Sequence, residues 1–413
     1  MRFRLVCTEC GVRFEEDPGL LVCPDCRGRQ APGGEIRGVL RVELAEPPSR
    51  WPERGTTDRG WLASVLPVAG PGSLPPIPVG GTPLVAAPRL GAALGMSRLW
   101  LKDDTRNPSG STKDRASLLG VATAREYGLH TVATASTGNA ATALAAVAAA
   151  AGLRAVVLVP AAAPPAKLVQ MAAYGARVVP VDGSYDVAFE LALSACERFG
   201  WYNRSTALNP YTIEGKKTAA LEIAAEMAPG APDVVVVPTG DGVIASGLAK
   251  GFADLVAGGL LERAPRLLLV QPEGSSSLAR AIRDGADAVM PLPGATSVAD
   301  SLVVERPRAG RLCLQEVRCC GGAAVIVADD AILAAIPRLA SLTGVFAEPA
   351  AAAVLAGLEA ALAEGLVGRD ERVVLMVTGT GLKDVAAARR AVRLADPVAP
   401  TLDAVADLLA RPA

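Results

Sequence analysis

A lysine, Lys113, closes the run Asn107-Pro108-Ser109-Gly110-Ser111-Thr112 and opens Asp114-Arg115-Ala116-Ser117. Glycine and small hydroxylated residues shape a loop, and the residues beyond it begin a helix. An amine presented by such a loop can condense with an aldehyde once burial draws its pKa toward neutrality. Lys113-Asp114-Arg115 also fits a solvated charge cluster at a helix start, and the local residues leave both readings open. The chain holds one histidine, His130. Serine triads, histidine-rich metal centres and paired-histidine acid–base schemes therefore fall away. His130 itself reads as a residue at the edge of a strand. The chemistry rests on lysine, carboxylates, hydroxyls or a cofactor.

Three further turns have the same character. Ser136-Thr137-Gly138-Asn139 follows TVATA, and Thr239-Gly240-Asp241-Gly242 follows DVVVVP. Thr378-Gly379-Thr380-Gly381-Leu382-Lys383-Asp384 follows RVVLMV. Each precedes a helix and offers backbone N–H groups at its N-terminus, which suits carboxylate or phosphate. Together with the lysine loop they point to an anionic cofactor and an anionic substrate. The aldehyde that also carries a phosphate is pyridoxal phosphate, an electron sink for amino-acid carbanions. Lys383-Asp384 reads as a helix-start feature rather than a catalytic one, and Glu214-Gly215-Lys216-Lys217 fits equally a helix start with surface lysines or a functional segment.

Four cysteines carry a different signal. Cys7 and Cys10 form one CxxC, and Cys23 and Cys26 another. Two thiolates from each of two tight turns close a tetrahedral site, which predicts structural zinc with no open position. Gly11 and Gly28 stand where the backbone folding round a metal needs freedom. Residues 1–30 carry five arginines against five acids with no basic stripe, so nucleic acid is not expected as a partner. Cys196, Cys313, Cys319 and Cys320 have no ligand spacing and read as packing residues.

The elements that position these groups alternate. RLWLKD, TVATAS, RAVVLVP, ARVVPV, DVVVVPTG, RLLLVQPEG, AAVIVA and RVVLMVTGTG are apolar runs of strand length, separated by helical stretches rich in Ala, Leu and Glu. That pattern predicts parallel sheets covered on both faces, with ligands beyond the carboxyl ends of the strands. The 413 residues are 51% hydrophobic with a formal net charge of −1, which fits an α/β enzyme and gives no pull toward nucleic acid or anionic membrane. The apolar stretch from Ala140 to Leu153 is shorter than the roughly 20 residues a bilayer needs. The N-terminus lacks the apolar core of a signal peptide, and a cytoplasmic protein is expected. Residues 45–85, rich in Pro and Gly with Trp51 and Trp61, read as an irregular segment that wraps the body or touches another subunit.

The motifs NPSGSTKDRAS, ASTGNAA, NPYTIEGKKT, PTGDGV, FAEPAAAA and TGTGLKD occur in the order typical of one family. From about residue 80 to 395 the chain resembles the threonine synthase branch of the fold-type II pyridoxal-phosphate enzymes, the tryptophan synthase β-subunit-like group, some of whose members carry an N-terminal zinc ribbon. The resemblance implies an α/β fold of two open, twisted, mostly parallel sheets covered by helices. It divides the chain into a ribbon (1–35), a linking segment (36–95), a catalytic body (96–395) and a tail (396–413). A mobile small subdomain falls at about 115–205. It implies a homodimer.

The resemblance also implies roles. Lys113 holds the cofactor as a Schiff base and then shuttles the substrate's Cα proton. Ser136, Thr137, Gly138 and Asn139 grip the substrate carboxylate, with Asn139 also near the cofactor's phenolic oxygen. Gly240, Asp241, Gly242, Val243 and Ile244 cradle the cofactor phosphate. Thr378 sets a hydroxyl beside the pyridine nitrogen, which favours elimination and replacement over transamination. Glu348 has two open readings, facing the cofactor or serving a helix N-terminus.

Two departures stand out. The phosphate turn, close to GNGGN in the family, is GDGVI here, so Asp241 must point away or meet a partner. The family segment NSxNPxRxEGQKT, whose arginine helps bind the phosphate of O-phosphohomoserine, is TALNPYTIEGKKT. Thr206-Ala207 replaces Asn-Ser and Thr212 replaces the arginine, and Arg204 or Lys216 could substitute from a different angle. The leading expectation is β,γ-elimination and replacement on O-phosphohomoserine, giving threonine and phosphate. The alternatives are β-elimination or β-replacement on a serine- or threonine-like amino acid, and a non-catalytic zinc-ribbon binding or regulatory module.

Overall fold

The computed structural model describes residues 2–410 apart from residues 18, 31–35, 54, 137, 162–164 and 184. At the N-terminus, β1 (Phe3–Cys7), β2 (Arg13–Phe14) and β3 (Leu40–Leu44) form an antiparallel sheet in the order β2-β1-β3. Alternation along β1 buries Phe3, Leu5 and Cys7. The first cysteine pair spans the turn after β1, where Gly11 takes φ +73° and donates its N–H to the Cys7 carbonyl at 3.0 Å. The second pair frames the short helix Pro24–Arg27, with Cys23 as N-cap. Gly28 keeps a helical φ of −60°, so the freedom expected there is not used. It is needed at Gly38 instead, at φ +72°, where an added Cβ would come within 3.0 Å of both Cys23 and Cys26. β3 lies beyond residue 35, and its pairing draws residues 40–44 into the N-terminal unit.

The segment expected to be irregular contains the helix Arg59–Val65, capped by Asp58, whose side chain accepts from the Gly60 and Trp61 N–H groups. Trp61 is buried and donates to the Arg50 carbonyl at 3.3 Å. β4 (Leu84–Ala86) runs antiparallel to β5 (Leu99–Asp103) at the edge of the main sheet. A second sheet holds β6 (Thr131–Ala135), β7 (Arg154–Pro160), β8 (Arg177–Val181) and β9 (Tyr202–Asn203) in the all-parallel order β8-β7-β6-β9. The chain then returns to the main sheet with β10 (Val234–Pro238), β11 (Arg266–Pro272), β12 (Ala323–Val327) and β13 (Val373–Val377). All eight apolar runs are strands. β10 and β13 are buried at every residue, because helices cover both faces.

The main sheet has the order β12-β11-β10-β13-β5-β4. The last strand is therefore inserted between the strands the chain left and returned on. That places the carboxyl ends of β5, β13 and β10 side by side, the position at which open α/β sheets bind ligands. Three helices meet behind these ends. An added Cβ at Gly215, in the helix Tyr211–Met227, would lie 2.2 Å from the Arg115 carbonyl of the helix Lys113–Glu126. One at Gly247, in the helix Val243–Ala257, would lie 2.6 Å from Lys216 Cβ. Glycine at both crossings lets the middle helix nest between the other two.

Candidate active site

Lys113 is the first residue of its helix, at the end of the loop that follows β5. The loop is stitched to the end of β13: Thr112 N–H donates to the Thr378 carbonyl at 2.8 Å and Thr380 N–H to the Gly110 carbonyl at 3.0 Å. Gly110, at φ +83°, has no room for a side chain beside Thr380. Asp114 is fully buried and accepts from Ser109 N–H at 2.7 Å. Arg115 is buried as well, forked onto Asp104 (2.7 and 2.8 Å) and Glu222 (2.6 and 2.8 Å). The solvated-cluster reading of these charges is therefore wrong. Lys113 itself is half-buried and lines a cavity. Burial pulls its amine down to about 8; Glu348 opposes this and Arg204 adds to it.

Most of the expected residues line that cavity, and Gly138 is not among them. Ser136 and Asn139 line it from the end of β6, Gly240 to Ile244 from the end of β10, and Thr378 from the end of β13. Gly138 N–H donates to Ser136 Oγ at 3.2 Å; Thr137 lies outside the described residues. Asn139 Nδ2 donates to Glu348 Oε1 at 2.7 Å, while its own Oδ1 is buried with no partner. Glu348 occupies an N-cap position but makes no side-chain cap bond. It also lines the cavity, so it stands at both of its expected places. A Cβ at Gly379 would meet that carboxylate at 2.3 Å. Burial raises the Glu348 pKa, against the pull of Lys167, Lys383, Lys113 and Asn139.

Gly242 caps the helix Val243–Ala257 at φ +90°, and a Cβ there would lie 2.6 Å from Cys313 Cβ. The question raised by Asp241 has a structural answer: its carboxylate accepts from Arg308 N–H at 3.2 Å. The turn thus keeps its backbone donors at a helix N-terminus, the setting an anionic group fits. With an orphaned amide oxygen, a lysine of lowered pKa and this turn, the cavity fits an aldehyde-bearing phosphate.

The surface reading of the lysines in Glu214-Gly215-Lys216-Lys217 is overturned, because both are buried. Lys217 pairs with Glu214 at 2.6 Å and Asp254 at 2.9 Å. Lys216 lines the cavity, as does Arg204. Thr212 is buried one turn earlier with its hydroxyl on the Asn209 carbonyl at 2.8 Å, and it does not line the cavity. Sequence reasoning missed the wall formed by Ser301, Leu302 and Val304, and the ion pair at 2.8 Å between Lys167 and Asp300. Neither stretch has a glycine turn or charge pattern to mark it. Lys383-Asp384 is a helix start as expected, with Asp384 accepting from Ala387 N–H at 3.0 Å. His130 is exposed just before β6. Cys313 packs as expected, but Cys319 is exposed.

Away from the cavity, the sulfur atoms of Cys7, Cys10, Cys23 and Cys26 lie within 4.8 Å of one another. The pairs Cys7–Cys26 and Cys10–Cys23 are each 3.7 Å apart. A tetrahedron with metal–sulfur bonds of about 2.3 Å has sulfur–sulfur edges of about 3.8 Å, so the cluster fits a zinc-sized ion. No helix among the described residues is long and apolar enough to cross a membrane.

The chain is similar to known proteins. A family model described as "Pyridoxal-phosphate dependent enzyme" matches residues 77–379. The chain is 36% identical to a threonine synthase of Methanosarcina acetivorans over 388 residues, 92% of each protein. It is 33% identical to one of Methanocaldococcus jannaschii over 392 residues, 93% of this chain and 94% of that one. The solved processed form of threonine deaminase isoform 2 from Solanum lycopersicum superposes with a TM-score of 0.65 at 23% identity. That match covers 75% of this chain and 86% of the deaminase and speaks for the fold alone.

Proposed function

We propose, on the premise that this chain belongs to the pyridoxal-phosphate dependent enzymes and to their threonine synthase branch, that it converts O-phosphohomoserine and water to threonine and phosphate. The chain is a threonine synthase-like lyase, so the non-catalytic reading falls. The observation that carries the proposal is the meeting of Lys113, the Gly240–Ile244 turn and the Asn139–Glu348 pair in one cavity.

Pyridoxal phosphate, when bound, supplies an aldehyde for an amine and a ring that takes up the electron pair left by a departing Cα proton. Lys113 Nζ is the amine that would hold it, and the same amine would serve as the base for that proton. A pKa of about 8 leaves a working fraction of the amine unprotonated near neutrality. Backbone N–H groups of Gly240, Asp241, Gly242, Val243 and Ile244 hold the phosphate. Thr378, which lines the cavity, would offer the ring nitrogen a hydroxyl in place of an acid. Ser136, Gly138 and Asn139 bind the substrate carboxylate, and Glu348 fixes the orientation of the Asn139 amide.

One observation favours the second reading, β-elimination or β-replacement on a serine- or threonine-like amino acid. Thr212 stands at the expected arginine and does not line the cavity. A phosphate-release assay with O-phosphohomoserine separates the two. Release supports the first; none, with cofactor bound and keto acid formed from serine or threonine, supports the second. We also take the cysteine cluster as structural zinc, which metal analysis of the purified chain reads directly. The enzyme is taken to act as a homodimer, to be measured by light scattering.

A further inference from the structure

Lys216 is 2% exposed. Its amine has no hydrogen bond or ion pair to any described residue, yet it lines the cavity beside Lys113 and Arg204. The close crossing at Gly247 sets it against the helix whose N-terminus is the Gly240–Ile244 turn. The charges around it are Arg204 and Lys113, of its own sign, and Asp241, whose carboxylate is engaged by the Arg308 N–H. Burial first, then Arg204 and Lys113, push its pKa well below the ordinary range. A buried cation without a counter-charge is strongly disfavoured, so this amine charges when an anion arrives.

The kind of anion follows from the donors. A carboxylate has two acceptor oxygens and a single charge, and the N-terminus of the helix Asn139–Ala151 already serves one. On the other side stand the Arg204 guanidinium, which also donates to Ser117 Oγ at 3.2 Å and to the Lys113 carbonyl at 3.3 Å, the Lys216 amine and a row of backbone N–H groups. Together they match a phosphate monoester, with close to two negative charges and three acceptor oxygens. We propose that Lys216, with Arg204 beside it, is the cationic side of a phosphate-monoester site in this cavity.

The inference rests on the proposed function, in which both cofactor and substrate carry such a group, and the experiment tells the two sources apart. Full-length Lys216→Gln and Lys216→Met are compared with wild type for affinity toward pyridoxal phosphate and pyridoxal, read by absorption. They are also compared for KM toward O-phosphohomoserine. Lys216→Met stands in should Lys216→Gln fail to fold, as checked by circular dichroism. Loss of one charge-assisted contact weakens binding roughly 10- to 100-fold. A drop of that size for pyridoxal phosphate but not pyridoxal assigns the site to the cofactor. A rise in KM with cofactor affinity held assigns it to the substrate. Changes under twofold in both overturn the proposal. If wild type releases no phosphate from O-phosphohomoserine, the proposed function fails while the cofactor titration still tests Lys216.

Discussion

Lys216 and Lys217 are neighbours on one helix, both withdrawn from water, in opposite electrostatic settings. Burial alone would lower the Lys217 pKa, but Glu214 and Asp254 outweigh it and raise it. The same holds deeper in the scaffold. Burial pushes the Glu222 carboxyl up, yet Arg115 and Lys102 hold it at about 2. Lys216 meets two cations and one engaged carboxylate, and its pKa falls. Burial is common to both regions; pairing is what separates them. Paired buried charges lock three helices and a strand together, and unpaired ones are held ready for a ligand.

The largest test of that division is Lys113→Ala. It should lower kcat by about 10⁴-fold, the scale of a lost acid–base group, and remove the visible absorption of bound cofactor. Its denaturant midpoint without cofactor should hold or rise, because no scaffold charge loses a partner. Arg115→Met should do the reverse. It strands Asp104 in the interior, leaves Glu222 with Lys102 alone and should lower unfolding free energy by about 3–5 kcal/mol. Arg115→Lys should recover only part, since one ammonium cannot reproduce the fork. An Arg115→Met protein as stable as wild type would break the comparison.

This division was only half legible in the sequence. The strands could be read because full burial makes them continuously apolar, as in VVVVP and VVLMV. The glycine turns could be read because their backbone needs glycine. The burial of Arg115 and Lys217 could not be read, because their partners come from other segments, and that of Asp114 and Lys216 could not because it follows from how the helices pack. Asp104 reaches Arg115 from the end of β5, Glu222 from across the fold, and Asp254 reaches Lys217 from the next helix. β9 was hidden for another reason: it is two residues long and carries no apolar run.

A closer test uses the two adjacent lysines. Lys217→Met leaves buried Glu214 with Lys250 alone, at 3.5 Å and shared with Asp254, and should destabilise the chain by about 3 kcal/mol. Lys216→Met removes an unpaired amine from the same helix and should change stability by less than about 1 kcal/mol, or raise it. Urea titrations of the two variants side by side decide this. Equal losses would mean that both lysines belong to the scaffold.

The smallest effect is a pH dependence of opposite sign in the two regions. Unfolded, Lys113 titrates near 10.5; folded without cofactor, it titrates near 8. Between those values the unfolded chain binds the extra proton, so stability rises with pH. Water reaches this half-buried amine, so the gain should be on the order of 1 kcal/mol. Lys217 runs the other way. Its folded pKa lies above 10.5, so its contribution is intact below that value and is lost as pH climbs through the folded pKa. Denaturant midpoints of cofactor-free protein from pH 7.5 to 10, wild type minus Lys113→Ala, isolate the first trend. A difference curve that is flat or falls with pH would place Lys113 among the paired charges.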